Sequence, residues 1–224
     1  MLMLSIYLLF FQIFKEVTVE FKREHRIGDS IEVTEGNIYY QTPNKIILQV
    51  KKPIHQWIVI EETQMVLYYP NENKGFKIKS KIPFFLPFFQ MFIGSFKENY
   101  GLSEIGYTIT RYEKREDTLF TYWKPPNNLS NILGEALTIY ISRKLVYVEL
   151  KNANGRVINK TSYSNHIYYN GIYFPLNISI IHYNKQDSIV ENVIYRDPKF
   201  NIPLPPEALN FTIPSNAQIK EIEW

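Results

Sequence analysis

The 224-residue sequence predicts a mainly β protein of about ten or eleven strands with one or two helical stretches. Three observations carry that expectation. Apolar and polar residues alternate with period two through most of the chain after Val17. Gly, Asn, Asp and Pro punctuate these runs about every eight to twelve residues, the spacing of antiparallel meanders. Aromatics make up 16% of the chain, with 17 Tyr and 15 Phe. That exceeds what turns and caps use, and flat rings pack well on a pleated face. At this length one domain is expected, and 45% apolar against 21% charged residues gives it a sizeable core.

Residues 1–15 stand apart from the pattern as a hydrophobic N-terminal segment. Leu2 to Phe14 is almost purely apolar, interrupted by Ser5 and Gln12. The stretch is as long as a signal-peptide core and short for a bilayer span. No Lys or Arg precedes it, and no small-x-small cleavage site follows before Lys15. Ser5 and Gln12 also fall on one helical face. Export signal, uncleaved anchor and first helix therefore all remain open for it.

A single domain over residues 16–224 follows. "VTVEFKREH" and "SIEVTEGNIYY" alternate around a Gly28-Asp29 turn. "NKIILQV" and "QWIVI" come next, separated by Lys51-Lys52-Pro53, and then "QMVLYYP". After an interruption a second meander runs through "GYTITRYEK", "DTLFTYW", "ALTIYIS", "KLVYVELKN", "RVINKTSYS", "IYFPLNISIIHYN" and "SIVENVIY". Asn152 to Gly155 and Asn170-Gly171 are its hairpin turns. Pro203, Pro205 and Pro206 lead to a tail, "LNFTIPSNAQIKEIEW", with one or two closing strands.

The interruption is "KIPFFLPFFQMFIGSF", residues 81–96, with six phenylalanines in sixteen positions. Pro83 and Pro87 exclude one helix through the whole stretch, though either suits a first helical turn. From Pro87 onward Phe88, Phe89, Phe92, Ile93 and Phe96 form one broad apolar helix face. Such a helix is too short to cross a bilayer. It suits packing on the open face of a curved sheet, as a core helix or as the wall of an apolar site.

Signals for chemistry are sparse. The absence of cysteine removes disulfides, thiolate metal sites and thiol catalysis. His25, His55, His166 and His182 are dispersed, and no nucleophile elbow, phosphate loop or HExxH occurs. Glu61-Glu62 and Glu116-Asp117 are adjacent carboxylates, but neighbours on a strand point to opposite faces. A net charge of +3 with scattered Lys and Arg gives no nucleic-acid footprint. A binding protein without cofactor or metal is expected, not an enzyme.

One ordered set of residues is more specific. "GNIYYQTPNKIILQVKKPIHQWIVIEETQMVLYYPNENK" resembles the signature stretch of the outer-membrane lipoprotein carrier family, the LolA-like proteins. Gly36 opens it, Pro43-Asn44 match its proline-asparagine pair, and Pro53 follows at the family's usual distance. "WIVI" and "MVLYYP" supply its apolar strand and its close at Tyr68 to Pro70. "FTIP" with "AQIKEI" is similar to the family's ending, and the aromatic block falls where the family inserts its lid. Thr42 departs from the pattern, standing where the family usually carries a lid-latching arginine. Glu61-Glu62 replace its Asp-Gly turn.

The resemblance implies a single strongly curved, incompletely closed antiparallel β-barrel, with short lid helices near 82–97 over an apolar cavity. It implies a periplasmic chaperone that binds the acyl chains of lipoproteins and carries them from the inner to the outer membrane. Its partners would be acylated lipoproteins, the inner-membrane lipoprotein-releasing ABC transporter and an outer-membrane receptor, with the carrier a monomer. Strand parity places Tyr40, Ile46, Leu48 and Leu67 on the concave face. Phe85, Phe88, Phe89, Phe92 and Ile93 would form the lid. Thr42, Pro43, Asn44 and Ile46 would sit at the mouth where partners dock. The lacking cysteine favours the soluble carrier over its acyl-anchored receptor relative. A periplasmic sensor or regulatory module that binds a protein partner, and a carrier of free lipid or glycolipid, are the alternative readings on the same architecture.

Overall fold

The computed structural model describes residues 14–42, 45–61, 63–81, 92, 94–95, 98–103, 105–184 and 188–223. Their strands form one curved sheet that does not close. The first meander contains β1 (Glu16–Ile27), β2 (Ser30–Gln41), β3 (Lys45–Lys52), β4 (Gln56–Glu61), β5 (Gln64–Tyr69) and β6 (Lys74–Lys79). The second contains β7 (Thr108–Arg115), β8 (Thr118–Lys124), β9 (Leu133–Ile141), β10 (Lys144–Asn152), β11 (Val157–Tyr169), β12 (Ile172–Tyr183) and β13 (Ser188–Phe200). β1 pairs with β13 and so joins the two meanders side by side. A closing strand, β14 (Gln218–Glu223), lies on the outer edge of β6.

Turn chemistry sets the hairpins. Gly28-Asp29 joins β1 to β2, and Asn170-Gly171 joins β11 to β12. Asn170 and Gly171 both have positive φ, 45° and 91°, as a two-residue turn matched to right-handed strand twist requires. Register slips mark bulges at Thr18/Glu20, Glu35/Gly36, Leu145/Tyr147 and Leu150/Asn152. Each bulge adds local bend and twist, which is how so wide a sheet acquires curvature.

Two expectations need correction. The described residues form fourteen strands, not ten or eleven, and the sheet is not wholly antiparallel, because β14 runs parallel to β6. β6, "KGFKIK", is short and lysine-rich, and only pairing with β5 and β14 makes it a strand. A parallel pairing depends on where the chain returns, which no local periodicity encodes.

Both faces of the first meander are covered. The inner face holds the main core, including Val17, Val19, Ile38, Leu48, Phe174, Ile178 and Tyr195. On the outer face Tyr39, Ile47, Trp57 and Tyr68 lie under the C-terminal segment through Leu204, Ala208, Phe211 and Ile213. Hence Ile38, Tyr39 and Tyr40 are all buried despite pointing alternately in and out. Among the described residues no helix is long and apolar enough to cross a membrane.

Candidate functional site

Pairing register builds two apolar rows across the inner face. One runs Val19, Ile38, Leu48, Ile58, Leu67, Phe76, each directly opposite the next on the neighbouring strand. The other runs Val17, Tyr40, Ile46, Ile60, Met65, Ile78. Paired residues of an antiparallel ladder share a face, so alternation in six successive strands yields two continuous stripes. Burial declines along the first, from none exposed at Val19 to Phe76 at 37%. The inner face is therefore least covered at β5 and β6.

Three of the four residues assigned to the cavity, Tyr40, Ile46 and Leu48, are buried together in the inner cluster. Leu67 shares their row and is half-buried beside Ile58 and Phe76. Of the lid residues, Phe92 is helical and wholly buried, its ring against Phe174 and Tyr195 with centroids 6.4 and 5.8 Å away. Phe92 is thus interior, packed against β12 and β13. Phe85, Phe88, Phe89 and Ile93 lie outside the described residues, as do Pro43 and Asn44 at the mouth. Thr42 is half-buried at the end of β2, where its N–H donates to the Lys15 carbonyl at 2.9 Å.

The chain leaves the lid through Gly94, Ser95 and Asn99-Tyr100. An added Cβ on Gly94 would meet the Tyr100 ring at 3.0 Å, so the glycine is what lets the ring lie against the chain. Asn99 and Tyr100 both take left-handed backbone, φ 57° each. That conformation costs roughly 1–2 kcal/mol per non-glycine residue. The Tyr100 ring meets Tyr163 edge-on at 5.5 Å. Burial pushes the Tyr100 phenol up to about 12 and raises Tyr163 and Tyr195 further, so all three stay neutral donors at ordinary pH.

The far end of the inner face is polar. Arg23 Nε donates to Glu191 Oε2 at 2.8 Å, and His182 Nε2 stands 3.8 Å from the other carboxylate oxygen. His182 Nδ1 meets the Asn159 amide at 3.0 Å, and Thr161 donates to Asn159 at 2.9 Å. Glu191 is 6% exposed, so this network holds a paired, nearly buried carboxylate at that end of the inner face. Strand parity in "VTVEFKREH" and "SIVENVIY" places Arg23 and Glu191 on the inner face. That they meet follows from the β1–β13 pairing, which local pattern does not show.

Sequence reasoning also passed over Tyr163, Phe174, Tyr195 and Phe200, which belong to the same buried inner-face cluster. Their signal was present in the alternation of "IYFPLNISI" and "VIY", although nothing there says which face is concave.

No family model matches the sequence, and no curated protein gives a match. Solved structures do. A LolA superfamily protein from Nitrosomonas europaea superposes with TM-score 0.58 at 14% identity, covering 86% of this chain and 89% of its own. An outer-membrane lipoprotein-sorting protein domain, so titled, from Vibrio parahaemolyticus gives 0.60 at 10% identity, covering 87% and 89%. A DUF1329 family protein from Desulfovibrio piger gives 0.62 at 10% identity with the same coverage. The curved sheet, open and with an apolar inner face, defines the class of open, barrel-like β proteins. Within that class the chain has the LolA-like fold.

Proposed function

We propose that this protein is a periplasmic carrier that holds the acyl chains of lipoproteins in its hollow during transit from inner to outer membrane. The observation that carries the reading is the pair of apolar rows ending, partly uncovered, at Met65, Leu67, Phe76 and Ile78. A chain of about fifteen methylenes leaving a bilayer forfeits on the order of 12 kcal/mol, at about 0.8 per methylene. A carrier must offer matching apolar area, and aromatic rings bury roughly 150–250 Å² each. Such cargo asks for no reactive group, in keeping with a binding role over an enzymatic one. Loading by an inner-membrane transporter and discharge at an outer-membrane receptor belong to the same proposal.

Phe92 packs against the inner face, so uptake requires that residue to move aside. The strained Asn99-Tyr100 link supplies a place for that movement. Mass spectrometry of material extracted from protein purified out of the cell envelope tests the reading. Diacylated or triacylated peptide near one per protein is expected; a free glycolipid would shift the cargo class, and no acyl material would refute the carrier.

One observation favours a second reading, a module that binds a protein partner. The edge strand β7 is exposed along nearly its whole length, with Ile109 at 53% and Tyr112 at 73%. A partner strand could pair there without entering the hollow.

A further inference from the structure

At the β7 end the sheet stops at an edge with no partner strand among the described residues. Such an edge offers a row of backbone donors and acceptors to another strand. Every β7 side chain is exposed except Glu113, which is half-buried. Tyr112 is 73% exposed, more than any other large hydrophobic side chain among the described residues. Register carries Tyr112 through Thr121 and Thr138 to Val148, so its ring belongs to the inner face. Arg111, Glu113 and Arg115 share the outer face, where each arginine forms an ion pair of 3.0 Å with Glu113. The two guanidiniums lie over Tyr122 and Phe120, 4.0 and 5.2 Å from the ring centroids.

Lysine and arginine on an edge commonly bar pairing with another strand. In β7 they select a pairing instead. Residues 108–118 are balanced, with Arg111, Lys114 and Arg115 against Glu113, Glu116 and Asp117. Two antiparallel copies of one edge, related by a two-fold axis, keep the same face on the same side, so the axis passes through a residue. An axis at Arg111, Glu113, Lys114 or Arg115 sets a charge directly opposite its own copy, which is unfavourable. The register slips between Ile109 and Arg111, and that bulge breaks any ladder centred at Thr110 or before it. An axis at Tyr112 sets Arg111 opposite Glu113 of the second copy and Glu113 opposite its Arg111. The two tyrosine rings then meet between them on the inner face.

We propose that β7 is a self-recognition edge: two copies of this chain join antiparallel along it, centred on Tyr112, with Arg111 and Glu113 paired reciprocally. The proposal goes beyond the carrier reading and does not depend on it. It replaces the monomer that the family resemblance implies with a dimer. The bulge before Arg111 keeps the shared ladder short, so the dimer is weak and its population rises with concentration. Both inner faces lie on one side of the joined sheet.

Sedimentation of the full chain across a concentration series tests this, and a reversible dimer is expected. Glu113→Arg and Arg111→Glu each turn both cross-strand attractions into repulsions and should weaken the dimer about tenfold. Mixing the two variants sets opposite charges against each other again and should restore association. The chain contains no cysteine, so an introduced one reports a single contact. Opposed residues of an antiparallel pair have Cα atoms about 4.5–5.5 Å apart, inside disulfide range. Tyr112→Cys should therefore cross-link to a dimer under mild oxidation, and Glu113→Cys, whose copies are offset along the strands, should not. These side chains are exposed or half-buried, so the substitutions leave the core intact. A monomer at every concentration overturns the proposal. So does a dimer that Glu113→Arg leaves unchanged, a mixture of the two variants that stays monomeric, or cross-linking through Glu113→Cys in place of Tyr112→Cys.

Discussion

The ring of Phe92 meets the ring of Tyr195 edge-on, centroids 5.8 Å apart, and both side chains are sealed from solvent. This contact couples the lid to the wall. Phe92→Ala should lower stability by about 3 kcal/mol, as for other buried phenylalanines. It should also raise apolar dye binding under native conditions, since the ring no longer fills the hollow. Urea unfolding and dye titration on one sample check both. Unchanged dye binding would show that the hollow stays shut without the ring.

The Arg23–Glu191 pair makes a sharper demand. Removing the guanidinium leaves a nearly buried carboxylate whose remaining ion-pair neighbour among the described residues is His182, 3.8 Å away. Arg23→Ala should therefore cost about 3 kcal/mol, and Arg23→Ala with Glu191→Gln should recover a good part of it. Denaturant midpoints of the single and double variants decide the matter. A double variant no more stable than the single one would show that the charge itself is not what hurts.

Alkaline pH should unfold the protein in a defined way. Burial raises the phenols of Tyr100, Tyr163 and Tyr195 above their ordinary value of 10. Above that pH the unfolded chain releases protons that the native state keeps, so stability falls as pH rises. It is flat below about pH 10 and declines above it by up to about 1.4 kcal/mol per pH unit for each tyrosine held protonated. Tyr163→Phe with Tyr195→Phe should flatten the decline measured by urea unfolding between about pH 9 and 11.

The outer face depends on the C-terminal segment. Phe211 stacks on Trp57 with centroids 4.5 Å apart, and β14 pairs the edge of β6 that would otherwise lie bare. Phe211 is half-buried, so Phe211→Ala should cost about 2 kcal/mol. Truncation before Gln218 should expose the β6 edge and promote self-association, read by light scattering. A truncated chain that stays monodisperse would show that the lysines of β6 guard that edge alone.

The strands were legible wherever one face is buried and the other wet. Val17, Val19 and Phe21 alternate with Thr18, Glu20 and Lys22, and the Gly28-Asp29 and Asn170-Gly171 turns stand where the chemistry puts them. Tyr40, Ile46 and Leu48 were legible as one face for the same reason. Three things were hidden. β6 becomes a strand through its neighbours, and the parallel seating of β14 is set by a long return path. The Ser142-Arg143 turn uses positive φ at two non-glycine residues, 48° and 71°, so it carries no glycine or asparagine flag.

Site-directed photo-cross-linking in living cells tests the central claim most directly. A photoreactive phenylalanine in place of Leu67, at the half-open end of the apolar row, is compared with one in place of Tyr112 on the exposed edge strand. The account predicts adducts with acylated lipoproteins from position 67 and none from position 112. Adducts from position 112 alone, with position 67 silent, would contradict it and point to a protein partner docked outside the hollow.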